Sequence, residues 1–205
     1  MTLRRFSSGE TAFVLGVPLA WAVLLLFHPG GDSLYDAAAS NTDAWLVVHL
    51  GTLVFIPLMA GVLFVVLRHC HGIAAHVGRI ALGVFAVVYL AFEVLVGIGV
   101  GLLVQESAPE SVVDAYGDTA VLMVIETVGS VAWLVAVVAA AVAMFDRTYR
   151  ARSIAMVLLF VISAPGIALH VSPVGPIALV LFAAALWLVI REPARVAGEE
   201  PLVAA

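Results

Sequence analysis

Five ionisable side chains sit in or at the ends of long apolar stretches of this 205-residue chain: His28, His49, Glu93, Glu126 and His170. An ionisable group at the centre of a bilayer costs at least about 2.5–3.5 kcal/mol, so it turns toward the interior of a helical bundle and commonly has a task there. Imidazole nitrogens and carboxylate oxygens are ligands of zinc and iron. His28, His49, His170 and Glu126 are therefore read as a transition-metal site, with ligands supplied by facing helices. A bound ion would offset the cost of keeping Glu126 charged in hydrocarbon. With one coordination position open, the ion would activate water, as in a metal-dependent membrane hydrolase. In that reading Glu126 is a ligand or general base, Glu93 a buried proton acceptor or structural group, and Asp43 at the mouth orients a ligating histidine.

The same residues admit other readings. His49 with His28 or His170 supplies an axial pair for haem b, although no CxxCH motif attaches a c-type haem. Glu93 and Glu126 at two depths suit a proton-coupled small-solute transporter, with Ser163-Ala164-Pro165-Gly166 as a segment that unwinds. The plainest reading is a non-catalytic scaffold subunit whose polar groups serve packing alone. His69-Cys70-His71 with His76 has a metal-like composition, but not a standard zinc spacing. Gly97-Ile98-Gly99-Val100-Gly101 lies inside an apolar run with no preceding strand, so it is not a dinucleotide fingerprint.

The elements that position these groups are membrane spans. The chain is 64% hydrophobic and 11% charged, against about 25% charged in a soluble domain. Its apolar runs are continuous rather than alternating, which favours helices over a barrel. The reading is an all-α, polytopic bundle over residues 1–192, with spans at about 12–28, 44–67, 79–104, 119–145, 153–171 and 174–190. Residues 193–205 read as a disordered tail. Each span holds enough residues to cross about 30 Å of hydrocarbon. Spans five and six form a tight hairpin or, alternatively, a re-entrant pair. Helical rise puts His49 about 7 Å and Glu126 about 10 Å below their outer span ends, with His28 and His170 at theirs. Glu93 lies deeper, about 16 Å down. Tyr89, Glu93, Gly97 and Gly101 share one stripe, and the last two form a GxxxG pair that admits a close neighbour.

Orientation comes from arginine, the chain's sole basic residue type apart from histidine. Arg4, Arg5, Arg68, Arg79, Arg147, Arg150, Arg152, Arg191 and Arg195 all fall on one side of a six-span arrangement. The positive-inside rule makes that side, with both termini, cytoplasmic. Acidic residues such as Asp32, Asp36, Asp43, Glu106 and Asp118 fill the opposite loops. The expected setting is a prokaryotic inner membrane, with the lipid bilayer as partner and a lipid or small molecule as substrate. No clustered basic surface suggests nucleic acid. The first apolar run has a basic start, but Ala37-Ala38-Ala39 lies too far beyond it for signal cleavage, so it reads as a retained anchor.

Overall fold

The computed structural model describes residues 6–145 and 148–191. Arg4, Arg5, Arg147, Arg195 and the tail 193–205 lie outside the described residues. The described chain is helical, with no strand. Its elements are α1 (Ser8–Leu25), α2 (Leu34–Ser40), α3 (Thr42–Leu67), α4 (Ile73–Phe92), a π-helical segment (Glu93–Ile98), α5 (Gly99–Gln105), α6 (Glu110–Gly117), α7 (Ala120–Met144), α8 (Arg150–Leu169) and α9 (Val174–Ile190). α4, the π segment and α5 run on as one rod of 33 residues. That rod, α1, α3, α7 and α8 are each long and apolar enough to cross a membrane, and α9 is a shorter apolar helix.

Side chains at the helix starts define where the rods begin. Ser7 caps α1 in a reciprocal box with Glu10, satisfying two backbone N–H groups that no helical carbonyl reaches. Ser33 and Asn41 accept from the first turns of α2 and α3 in the same way. Continuous apolar sequence then leaves the helix as the structure that satisfies its own backbone in lipid.

The six rods close into a ring in the order α1, α3, α4, α7, α8, α9 and back to α1. The core holds Trp21, Trp133, Phe85, Phe160 and Phe182, all fully enclosed. Buried polar atoms stitch neighbours together: Trp21 Nε1 donates to Thr52 Oγ1 at 3.3 Å, and Trp133 Nε1 to Ala164 O at 3.2 Å. α1 is thus part of the core, with Val14, Trp21 and Leu25 buried. The Ser163–Gly166 segment is helical throughout, despite Pro165. At one end Arg68 pairs with Glu10, and Arg79 Nη2 donates to the Leu67 and Cys70 carbonyls at 2.7 Å each, closing the C-terminus of α3.

The ring is stepped. At about 1.5 Å per residue, α1, α8 and α9 are about 27, 30 and 26 Å long. α3, α7 and the α4–α5 rod are about 39, 38 and 50 Å. One half of the ring is short and contiguous, the other tall. The short helices α2 and α6 pack around the end of the tall half remote from Arg68 and Arg79. A second apolar cluster, with Ala38, Trp45, Val96, Val100, Val113 and Leu122, holds them there. Asp114 Oδ1 accepts from Tyr35 N at 3.0 Å, fastening α2 to α6.

Candidate metal centre

The C-terminal ends of α1 and α8 meet the inner flanks of tall helices at a cluster of imidazoles. His28 follows α1, His49 lies two turns inside α3, and His170 ends α8. All three are buried, with 6%, 2% and 7% exposure. One ligand nitrogen from each falls within 4.8 Å of the other two, and this is the one such group of three or more potential ligands among the described residues. Their ring centroids lie 5.1, 5.6 and 5.9 Å apart.

Each ring is fixed by what its Nδ1 touches. His49 Nδ1 faces Trp45 O at 2.8 Å, one turn back on α3. His28 Nδ1 faces Pro29 O at 2.7 Å. Carbonyl oxygens only accept, so both Nδ1 atoms carry the hydrogen and donate it. The Tyr89 hydroxyl donates to Ala168 O. Its oxygen, 3.0 Å from His170 Nδ1, accepts the hydrogen of that ring. Nε2 of every ring is left as a lone pair, the tautomer a metal requires.

Glu93 completes the cluster. Its carboxylate is 1% exposed, with Oε1 3.2 Å from His170 Nε2 and Oε2 3.9 Å from His49 Nε2. Neither oxygen has a hydrogen-bond partner. Acceptor thus faces acceptor among buried groups, an arrangement that calls for a proton or a cation between them.

The backbone here is unusual in two places. Glu93 opens the π-helical segment, and wide turns of this kind are frequent at functional sites. Two of the segment's carbonyls take donors from outside the rod: Gly97 O from Trp45 Nε1 at 2.6 Å, and Leu95 O from the Tyr116 hydroxyl at 2.9 Å. Gly97 has no side chain because the His49 ring occupies that space, and a Cβ there would lie 2.7 Å from His49 Cγ. His170 adopts the left-handed conformation, φ 40°, at the end of α8. A non-glycine residue there costs about 1–3 kcal/mol and is held by its surroundings. Gly175 packs directly on the His170 backbone, where any Cβ would approach to 2.8 Å.

The three histidines are brought together as their shared depth suggested. Glu93 stands with them, not below them. The step in the ring is the reason: α8 ends level with the middle of the α4–α5 rod, so its terminal histidine meets a residue twelve positions before the rod's outer end. Gly97 and Gly101 do face a close neighbour, α3, through His49, Trp45 and Leu46. Glu126 lines the same cavity of about 450 Å³ as the histidines, but its side chain is exposed on α7. The group at ligand distance holds the three histidines and neither carboxylate; Glu93 is the one that stands against two of their rings. Asp43 is exposed, and the Nδ1 partners of the three rings are other groups. His71 and His76 are exposed, and His69 packs edge-on to Phe6. Trp45 was not singled out from the sequence. Its signal is its position four residues before His49, where its carbonyl meets the ring and its indole reaches the π segment.

Comparison of the chain with protein-family models, with curated proteins and with solved structures finds no match.

Proposed function

We propose that the protein is an integral membrane protein that binds one transition-metal dication, zinc by preference, through His28, His49 and His170, with Glu93 as the carboxylate ligand, and that it uses the ion for hydrolysis. The observation that carries this reading is the convergence of three buried histidines, which bring one ring nitrogen apiece within 4.8 Å of the others while each ring is tied back through Nδ1, beside a carboxylate with no hydrogen-bond partner. A triangle of nitrogens no more than 4.8 Å apart closes onto zinc by shifts of about 0.7 Å each, given Zn–N bonds of about 2.0–2.1 Å. Three neutral imidazoles and one carboxylate leave a net positive site, which offsets burial of Glu93. With four protein ligands, a water or substrate atom would take a fifth position, for which the cavity supplies room. A bound ion would there lower the pKa of water toward neutrality and polarise the bond to be split. Glu126, on the cavity wall, is outside the ligand set in this reading.

Haem fits less well. Axial histidines face each other across a macrocycle, whereas here the third ring stands at 5–6 Å from both others, where the macrocycle would lie. We further propose six spans with both termini cytoplasmic, the metal cluster lying toward the outer face. The described arginines Arg68, Arg79, Arg150, Arg152 and Arg191 all stand at or near the helix ends remote from the histidines, which supports this.

Elemental analysis of the purified protein, with an absorption spectrum, tests the reading. One equivalent of zinc or iron, lost in His49→Ala, is the expected result. Folded protein without metal that does not take up zinc on titration would overturn it, and a Soret band would replace it with haem.

A further inference from the structure

The substrate class of this site can be argued from the height of its walls. α8 and α9, at about 30 and 26 Å, match a hydrocarbon layer of about 30 Å. Their connecting turn therefore lies at the boundary between acyl chains and headgroups, and the histidine cluster is at the same level. The exposed side chains at and beside the turn are largely apolar: Leu169, Val171 and Val174 are 58%, 42% and 46% exposed, which suits lipid contact. The tall half of the ring, with the α1–α2 connection, lines the cavity's other sides through residues such as Pro29, Leu34 and Val96.

α7 leaves the adjoining side open. Before Gly129 it buries only Leu122, which belongs to the second cluster with Val96, Val100 and Val113. Met123, Val124 and Val128 are 55%, 60% and 43% exposed on this stretch. Among these apolar residues stands Glu126, exposed and yet lining the cavity that holds the histidines and Glu93. A carboxylate at membrane depth normally faces protein or a wet cavity, so its place marks a mouth on the bundle's flank.

Building on the metal-centre reading, we propose that the substrate is an acyl amphiphile of the bilayer, which reaches the site sideways between α7 and the α8–α9 turn, past Glu126. Its chains stay among the exposed apolar residues while its ester or amide carbonyl, at the chain–headgroup boundary, comes level with the cluster. The cavity, about 450 Å³, takes a head and the first part of a chain, not a whole lipid. In the reaction the oxygen of water bonds to the carbonyl carbon. The bond from that carbon to oxygen or nitrogen breaks, and the leaving group takes a proton from the water.

Photocrosslinking tests the route without needing metal or turnover. The full chain is reconstituted in phosphatidylcholine vesicles containing a phosphatidylcholine with a diazirine beside its acyl carbonyl, and crosslinks are mapped to peptides. Crosslinks are expected in the cavity-lining peptides around Phe92–Gly97 and Leu169–Ser172, in metal-loaded and metal-stripped protein alike. Glu126→Trp, which fills the mouth, is expected to cut these crosslinks about tenfold, the ratio set by about 1.4 kcal/mol of steric penalty. Val128→Trp, exposed on the same helix but outside the cavity lining, is expected to leave them unchanged. Crosslinks confined to outward faces, or cavity crosslinks indifferent to Glu126→Trp in a variant that stays folded, would overturn the proposal. So would a second copy of the chain crosslinked across Glu126. Each of these results leaves metal stoichiometry untouched, so the route can fail while the metal reading stands.

Discussion

Adding one methyl group at Gly97 is a sharp test of whether the His49 ring is a ligand. In a helix, Gly→Ala ordinarily stabilises by about 0.5–1 kcal/mol, because alanine has less backbone freedom to lose. At Gly97 the added carbon would sit 2.7 Å from His49 Cγ and 2.9 Å from its Cβ, and closer still to Cδ2. Non-bonded carbons rest about 3.5–4.0 Å apart, so the ring or the helix must give by about 1 Å. Overpacking of this kind costs about 1–3 kcal/mol, which exceeds the gain from propensity. The ring cannot yield freely, since its Nδ1–H is held by Trp45 O and Trp45 is itself held by Gly97 O. Misplacing an oriented ligand typically costs about 10–100-fold in metal affinity. Gly97→Ala should therefore weaken zinc binding by that factor and destabilise the protein. Gly83→Ala, an exposed position in the same rod with nothing near its Cβ, should change neither for the worse. Competition titration against a chromophoric chelator in detergent, with thermal unfolding alongside, reads both effects. Gly97→Ala protein that stays folded and binds zinc within about twofold of the parent would refute the geometry, since independent sites agree to about that margin.

Tyr89→Phe removes the oxygen that accepts the Nδ1–H of His170, and zinc affinity should fall by about 10–100-fold with the fold retained. Glu93→Gln should weaken zinc binding far more than Glu126→Gln in the same chelator competition, because Glu93 stands against two ring nitrogens and Glu126 against none. Trp45→Phe deprives Gly97 O of its external donor. A loss of about 1–3 kcal/mol in stability is expected, measured by denaturant titration, together with weaker metal binding. Arg79→Ala strips the Leu67 and Cys70 carbonyls at the far end of the bundle; it should lower the unfolding temperature and leave metal stoichiometry at the parent value.

The helices and their buried stripes were legible because hydrophobic continuity and period leave few alternatives in lipid. The three histidines were legible as a set because two lie at helix ends and one a few residues inside, so rise per residue alone put them at one level. Glu93 was misplaced in depth because sequence gives position along a helix, not the vertical offset between helices. That offset depends on side-chain packing between α8 and the α4–α5 rod. The π segment was also invisible, although one trace of it exists. An α-helical step of four residues drifts by about 40°, so Tyr89, Glu93, Gly97 and Gly101 would wander off one face over three steps. All four are buried, and the wider turn between Glu93 and Ile98 reduces that drift. Glu126 lines the cavity of the histidines, but its exposure on α7 was not legible, since Met123, Val124 and Val128 around it are as apolar as a core would be.

The short helix α6 is hydrogen-bonded to the π segment by one phenol, Tyr116 to Leu95 O, and to α2 by Asp114, on top of the apolar contacts of Val113. This makes the floor of the pocket and the two outermost helices one mechanical unit, hinged on a carbonyl that an ordinary α-helix would have kept for itself. Both short helices are thereby tied to the winding of the rod two residues from Glu93. Winding sets where that carboxylate points, so the two short helices brace the geometry among the imidazoles.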